Sequence, residues 1–576
     1  MSNTSCGREP LTLVQIDQDL CTRTYGVGAC TASGTVKCYN TRKTCQVPSA
    51  YSRGTLTLTF CKPNTTHPKN QNWIPLIDSV STAPTKLNPA TGNLDNSALG
   101  ERGVLSVTFT DAPHTDFLVD PYLSSRTFDP LERGTFWSKW LARNPYYQNR
   151  LVRLYDGYVG DALNQMKVRH YLMDSIVGPD SSQRVKLVAK DPLKLSEKER
   201  AQIPNASTGL LQLNIDQTQT TFTIYKALLA DYPASGTIRI DDEIMTYTGR
   251  TISSGIITFT GVTRARYGTT AVTHSLDTLV QVCVVYTDKV LWQGVKELLV
   301  DWAGVDSSYI NDTDWQNEYT TYLAQFNFSI VISEPISVFD ALNQLCQQLP
   351  FYIYWDDRAN TIRFKAVRYY SGTFPVIDES DIIENSFSTT TNPRDRISQV
   401  WVYNTPRNWA STERSNYRNV EINANLDLES RDLYDEKKIR IIEGRWVTPA
   451  QAFNLTSRLI RSNFDNPLYV KLRLDAKDRD LWTGDVVDIQ HRSIVDFYGE
   501  PEQYRYQIIS SQEIISGETI EYQLLKLITL AVKTGRYMAA NAPSWASATD
   551  PQKATGAWYA DTAGLLPTNV PGYEYE

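Results

Sequence analysis

The sequence predicts a mainly β protein with some α, divided into several domains. Its 576 residues are several times the length of an ordinary domain, so several separate cores are expected. Short runs in which apolar residues alternate with threonines or charged residues have the period of half-buried strands, and only a few stretches carry helical spacing. A composition of 41% hydrophobic, 21% charged and 11% aromatic residues, with no low-complexity tract, is that of a folded globular chain.

The first strand-like run is GTLTLTF at 54–60, where Leu56, Leu58 and Phe60 alternate with threonines. Residues 62–100, rich in Pro, Asn, Thr and Ser, read as a long surface excursion, and VLSVTFT at 104–110 as the next strand. A short helix is expected over 135–143, then the strand LVRLY at 151–155 ended by a turn at Asp156 and Gly157. The segment KDPLKLSEKERAQIP at 190–204 reads as a polar helix capped by Ser196 and stopped by Pro204. Residues 207–290 are nearly all β and look like a self-contained insert. Leu291, Val295, Leu298, Leu299 and Trp302 lie at spacings that put them on one face of a helix over 292–303.

An αββ module follows. Val338, Leu342, Leu345 and Leu349 recur at helical spacing, Ser337 is the N-cap and Pro350 the stop, and strands at 351–355 and 361–367 flank a turn. A further helix starts at Thr448 and Pro449 and runs to about Arg461 with Ala452, Leu455 and Leu459 inward. The runs YVKLRLDA, GDVVDIQH, RYQIISSQEII and TIEYQLLKL suggest a small antiparallel barrel or sandwich, and the chain from Ala540 an extended arm. The expected domains are a Cys-rich segment at 1–65, a first β-barrel with a helix at 66–206, an all-β insertion at 207–290, an αββ core at 291–390, a second β-barrel at 391–535 and the arm at 536–576.

A net charge of −7 argues against a nucleic-acid surface, which needs clustered Lys and Arg. The first twenty residues lack a basic then apolar leader, and no window approaches eighteen apolar residues, so a soluble protein made in the cytosol is expected. Reducing surroundings favour a metal site over a disulfide framework for a cysteine cluster.

Such a cluster stands out. CTRTYGVGACTASGTVKCYNTRKTC at 21–45 holds four of the eight cysteines, with Gly26, Gly28 and Gly34 between them. Cys21, Cys30, Cys38 and Cys45 supply four thiolates, the donors of zinc or of an iron–sulfur cluster. The two-to-four-residue spacing of structural zinc modules is missing, and long loops between single cysteines suit a larger cage, a [4Fe-4S] cluster. Zinc, disulfides and free thiols remain the alternatives. Cys6 and Cys61 flank the cluster as spares, as substitute ligands or as a disulfide pair once outside the cell, while Cys283 and Cys346 read as ordinary buried residues.

No catalytic residue is expected. His114 and Asp116, with Asp111 and Asp120 near, could ligate a metal or exchange protons, but carboxylates around a loop histidine more often hold turns and ion pairs. The five histidines fall in no nucleophile elbow, Cys/His pair or HExxH helix, and the pairs Asp241/Asp242 and Asp356/Asp357 read as solvated turn carboxylates. No Gly-rich stretch matches a phosphate loop.

YGVGACTA and KCYNTRKTCQ resemble the cysteine-rich segment of the tail tip and baseplate hub proteins of tailed bacteriophages and gene transfer agents. The intervals Cys21 to Cys30 and Cys38 to Cys45 look like that family's outer spacings; the middle interval is shorter. GVLSVTFTDAPHTDFLVDPY with GTFWSKWLARNPYYQNRLVRLYDG is similar to a tail-tube-related barrel of such hubs, PISVFDALNQLCQQLPFYIYWDDRANTIRFKAV to the αββ part of the hub core, LDAKDRDLWTGDVVDI to the second barrel, and GTIRIDDEIMTYTG with GVTRARYGTTAVTHS to a β insertion of tail proteins.

The resemblance implies a non-enzymatic virion protein that carries a [4Fe-4S] cluster on Cys21, Cys30, Cys38 and Cys45; an iron–sulfur oxidoreductase and a disulfide-stabilised adhesin are the alternative readings. It implies a homotrimer at the tail tip, assembled in the host bacterial cytoplasm, whose two barrels per subunit match a sixfold tail tube to threefold tip parts and serve DNA ejection. The implied partners are a distal tail protein, a tape measure protein and tip fibre or receptor-binding proteins. Thirteen Trp and 33 Tyr suit such interfaces, and the cluster would staple a segment poor in large apolar side chains.

Overall fold

The computed structural model describes residues 9–65, 72–89, 98–197, 201–368, 370, 372–429, 433–463, 466–475, 481–496, 498–515 and 518–527. They fall into two compact units, Met1–Arg368, Ser380–Asp485 and Ile508–Leu525 in one, Tyr369–Glu379, Val486–Gln507 and Lys526–Glu576 in the other. The chain is mainly β with few helices, and no helix among the described residues is long and apolar enough to cross a membrane.

The first unit opens with seven strands: β1 (Pro10–Cys21), β2 (Arg53–Phe60), β3 (Ile77–Ala83), β4 (Val104–Thr110), β5 (Leu151–Tyr158), β6 (Lys167–Val177) and β7 (Arg184–Lys190). They form one antiparallel sheet in the order β2-β1-β5-β6-β7-β4-β3. The sheet closes where Ile74 N–H donates to Thr59 O at 2.8 Å, Cys61 N–H to Ile74 O at 3.0 Å and Ile77 N–H to Cys61 O at 3.0 Å, which joins the end of β2 to the chain entering β3. These bonds bridge the two end strands of the sheet at that corner. The helix α1 (Phe136–Arg143) seals the interior: Trp137 is fully buried, stacked on Phe60 at 5.5 Å and against Phe109 at 4.7 Å.

β1 and β2 therefore complete the barrel, although the sequence places them in a separate Cys-rich segment. Buried polar residues hide the periodicity of β1. Gln18 accepts from Trp140 Nε1 at 2.6 Å, and Asp17 from Thr57 Oγ1 at 2.7 Å and from Arg153 at 3.0 Å, so neither is the solvated residue its type suggests. β3 likewise lies inside the stretch expected to be a surface excursion. Asp156 and Gly157 are in β5 rather than in a turn, because Arg169 at 2.5 Å holds the Asp156 carboxylate and the Met166 side chain fills the space a Cβ would need at Gly157.

The expected polar helix at 190–204 is not seen in its described residues. β7 ends at Lys190, a 3-10 turn covers Pro192–Ser196, and β8 (Gln202–Ile203) follows; residues 198–200 lie outside the described set. Lys194 is turned inward, donating to Met173 O at 2.8 Å and Asp174 at 2.9 Å, and Ser196 is buried with its hydroxyl on Leu193 O rather than capping a helix.

Next come β9 (Leu210–Leu211), β10 (Phe222–Tyr225), β11 (Gly236–Ile240), β12 (Glu243–Tyr247), β13 (Gly249–Ser253), β14 (Ile256–Thr260), β15 (Thr263–Arg266) and β16 (Val280–Lys289). They enclose a core of their own around Phe222, Ile238, Met245 and Phe259. One sheet runs β13-β14-β10-β9; the other runs β15-β12-β11-β16 and continues into β17 (Phe328–Ile332), past residue 290. Between β16 and β17, α2 (Leu291–Glu297) widens into a π turn at Leu298–Trp302, and α3 (Asp312–Glu318), which the sequence did not announce, does the same at Tyr319–Leu323.

The αββ module forms as its local signals require. β18 (Ile336–Ser337) leads into α4 (Val338–Gln348), where Ser337 Oγ accepts from Asp340 N–H at 2.9 Å, and β19 (Phe351–Asp356) pairs with β20 (Thr361–Ala366). Val338, Leu342, Leu345 and Leu349 are fully buried in the largest core. That core continues under a sheet that sequence reasoning missed, β24 (Tyr417–Ala424), β23 (Gln399–Pro406) and β25 (Ile439–Gly444) in that spatial order, with α6 (Pro449–Asn463) bringing Leu455 and Leu459 to it. The short helix α5 (Leu426–Glu429) follows β24.

In the same unit, β22 (Ser388–Thr391) pairs with β26 (Leu468–Asp475) and β26 with residues 519–525 of β29 (Thr519–Lys526), which lie beside residues 508–515 of β28 (Tyr504–Ile515). In the second unit, β21 (Val376–Ile377) runs parallel to β27 (Val486–Ile489), which pairs antiparallel with residues 504–507. The arm expected from 536 lies outside the described residues.

Candidate functional site

The cysteine segment is the connection between two barrel strands. Cys21 is the last residue of β1, opposite Arg53 at the start of β2, and residues 22–52 make the excursion. Turns with positive φ at Gly26 (72°) and Asn40 (53°) fold it back on itself. Asn40 ties the middle of the excursion to its start, its carbonyl taking the Cys21 N–H at 2.6 Å while its amide donates to Cys21 O at 3.2 Å.

Side chains outside the loop fasten it to the barrel. The Tyr39 ring lies between two guanidinium groups, Arg126 at 4.0 Å and Arg143 at 3.9 Å. Arg126 also donates to Lys37 O at 2.6 Å and Cys38 O at 3.0 Å while its Nε pairs with the buried Asp120 at 2.7 Å. Tyr122 accepts the Tyr25 N–H at 2.7 Å.

All four thiols of the loop are free and half-buried. The Cys38 thiol donates to Asn40 Oδ1 at 3.3 Å. Burial pushes its pKa up, and charge on Cys45, Cys30 and Cys21 pushes the same way, so the other three sulfurs lie within electrostatic range. The donor set, four soft thiols on one loop with no disulfide, fits a thiolate-bound group in number and chemistry. As the loop stands, no group of three or more His, Cys, Asp or Glu side chains among the described residues is arranged to hold a metal ion.

The other sequence candidates are structural. His114 Nδ1 accepts the Asp116 N–H at 3.0 Å, and burial lowers the ring's pKa. Asp116 is itself buried between Lys139 at 2.6 Å and Arg143 at 2.8 Å. Asp111 anchors the start of α1, accepting from Thr135 Oγ1 at 2.5 Å and Trp137 N–H at 2.9 Å. Asp357 is not a solvated turn carboxylate: it takes the Trp482 Nε1–H at 2.7 Å, and burial raises its pKa. Cys61 is buried, Cys283 has its pKa pushed up to about 12 by burial and Cys346 is raised further; Cys6 lies outside the described residues.

One cluster escaped sequence reasoning. Glu243 is fully buried in the insert and receives Arg264 Nε at 2.8 Å and Nη2 at 2.7 Å, Ala265 N–H at 3.0 Å and Val272 N–H at 3.1 Å. His274 bridges it at 3.0 Å to Asp241 at 2.7 Å, so Asp241 is a partner in a network rather than a free turn acid. The signal was present: Glu243 has the same strand parity as the core residues Met245 and Tyr247.

No protein-family model matches the chain, and no curated protein matches it. Among solved structures it is similar to the tail protein from Neisseria meningitidis MC58, at 10% identity over 78% of this chain and 91% of that one, with a TM-score of 0.37. It is similar to a prophage tail protein from Listeria monocytogenes EGD-e, at 10% identity over 77% of this chain and 87% of that one, TM-score 0.34. A chain of the virion of a native gene transfer agent particle is similar at 10% identity over 56% of this chain and 85% of that one, TM-score 0.30.

Proposed function

We propose that this chain is a structural protein of a phage-type tail, the hub of its tip, acting as a homotrimer that matches a sixfold tube to threefold tip parts. One observation carries the reading: two of the segments whose sequence resembles such hubs lie in elements of the kind the resemblance implies. β4, α1 and β5 belong to a barrel whose interior α1 seals, and α4, β19 and β20 form an αββ unit. A closed barrel carrying long connections suits a ring in which each subunit meets copies of itself, since cyclic assembly needs rigid, repeated faces.

In this reading Cys21, Cys30, Cys38 and Cys45 hold a [4Fe-4S] cluster, which supplies metal–thiolate bonds that hold the loop. Arg126, Arg143 and Asn40 then set the loop's position on the barrel before any group is bound.

Two measurements test the proposal. Light scattering of the purified chain gives three times 65.3 kDa if it is a trimer, and labelled antibody marks the tip of tails in micrographs; a monomer absent from tails overturns the reading. Anaerobic protein carries about four irons and acid-labile sulfide per chain if the cluster is present. A single zinc per chain, or metal-free protein, removes the cluster while leaving the hub reading standing.

A further inference from the structure

Two sheets of the first unit end in strands that no other strand covers among the described residues: β17 closes the sheet β15-β12-β11-β16-β17, and β25 closes β24-β23-β25. Both ends line one cavity of about 380 Å³. Ile330, Val331 and Ile332 of β17, Ile441, Ile442 and Glu443 of β25, and Gln344, Gln347 and Gln348 of α4 all line it. The volume is within the range of ligand sites, about 300–1,000 Å³.

The chemistry of this cavity is that of a strand's missing neighbour. Glu443 turns its carbonyl away from β23, toward Gln348 Nε2 at 3.1 Å. Both polar groups of a strand residue point to the same side, and the direction alternates along the chain, so Ile441 presents its N–H and C=O on the same open side. Alternate residues of β17 do likewise on the side away from β16, while Ile330, Val331 and Ile332 are at most 4% exposed. Backbone groups at a buried edge call for partners.

A charge completes the cavity. Arg445 lines it, its Nη2 donating to Trp409 O at 3.0 Å, while its Nε is buried without a partner and no ion pair forms to it among the described residues. Burial lowers its pKa and Arg239 adds to the lowering, against the opposite pull of Tyr417 and of Glu334 and Glu443, whose carboxylates line the same cavity and are paired with Arg239 and Arg414. Arg239 itself is already paired, with Glu334 at 2.6 Å and Asp242 at 3.1 Å. On α4, Gln344 and Gln348 both accept from Trp446, at 2.9 and 3.0 Å, whereas Gln347 makes no side-chain hydrogen bond among the described residues.

The geometry points to a docking slot for an extended peptide segment of a partner protein, which adds a strand between β17 and β25 and presents an Asp or Glu side chain to Arg445. Main-chain bonds to two edges supply affinity, apolar contacts alternate with them, and the carboxylate at Arg445 sets the register. This goes beyond the tail-hub reading and stands or falls without it.

The test is selection of a random eight-residue peptide library on the full chain. The expected consensus has apolar residues at alternate positions, one acidic residue and no proline. Its peptide slows hydrogen exchange at the Ile441 amide and binds at least tenfold more weakly to Arg445→Met. N-methylating alternate peptide amides, which leaves the protein untouched, abolishes binding, and Gln347→Trp, which fills the slot from α4, does the same while keeping the thermal unfolding profile. No enrichment, a consensus without an acid, equal binding of the N-methylated peptide, or protection away from β17 and β25 overturns the proposal. Succinate alone protecting the Ile441 amide as well as the peptide does so too, by making the cavity a small-anion site.

Discussion

Replacing Glu243 by Gln tests whether one buried carboxylate locks the insert. The native side chain takes two bonds from Arg264, two from backbone N–H groups and one from His274, all between 2.7 and 3.1 Å. The Gln oxygen retains the Arg264 Nε and Ala265 donors, but its NH2 group meets the donors of Val272, Arg264 Nη2 and His274, and Arg264 keeps a charge with its side chain only 7% exposed. Removing one partner of a buried ion pair costs about 3–5 kcal/mol. At roughly 4 °C per kcal/mol, that lowers the melting of the insert by about 12–20 °C. Hydrogen exchange read along the chain under a thermal ramp localises the effect to the segment from β9 to β17 and leaves the barrel protected. The sign in pH follows from the same contacts. Burial alone would raise the Glu243 pKa, but Arg264, the Val272 N–H, His274 and the Ala265 N–H bring it down to about 2, from 4.5. The stabilisation is therefore complete above 4.5 and lost as pH falls toward 2, and the Gln variant has no such slope. A loss below about 1 kcal/mol, the ceiling for an exposed pair, would refute the reasoning.

Trp137→Ala empties the barrel interior where the ring meets Phe60 and Phe109; a cost of about 3–5 kcal/mol is expected in denaturant unfolding, with the insert unaffected. Arg126→Met removes the donor to Cys38 O and leaves Asp120, its side chain 1% exposed, without its cation. Exchange across 22–52 then accelerates while the β1 and β5 amides stay protected, and unchanged loop exchange would show that the cysteines alone order it. Gly268→Ala destabilises by more than about 2 kcal/mol, because φ is +80° and a Cβ would stand 1.8 Å from Arg407 O, a backbone atom that cannot step aside; thermal unfolding reads it. Cys30→Ser or Cys38→Ser abolishes tail assembly if the cluster staples the loop, and infectious particles from either variant count against that role.

The elements written in short-range code were legible. Ser337, the four leucine-type positions after it and Pro350 define α4 within one stretch of chain, and the alternation in VLSVTFT defines β4, because caps and side-chain periodicity act between residues two to four apart. The four cysteines were equally plain as a donor set, since thiol count and spacing are properties of the chain itself. Everything that depends on a distant partner was not. β1 was obscured because Asp17 and Gln18 are satisfied by Arg153 and Trp140, more than a hundred residues away. The cysteine segment reads as a separate head, yet closing the barrel makes it a connection between two strands, seated by Arg126 and Arg143. Glu243 and the slot between β17 and β25 belong to the same class. A strand's period tells which face is buried, but which polar group meets which, and which edge is left open, is decided by contacts whose loop-closure cost only the assembled fold can offset.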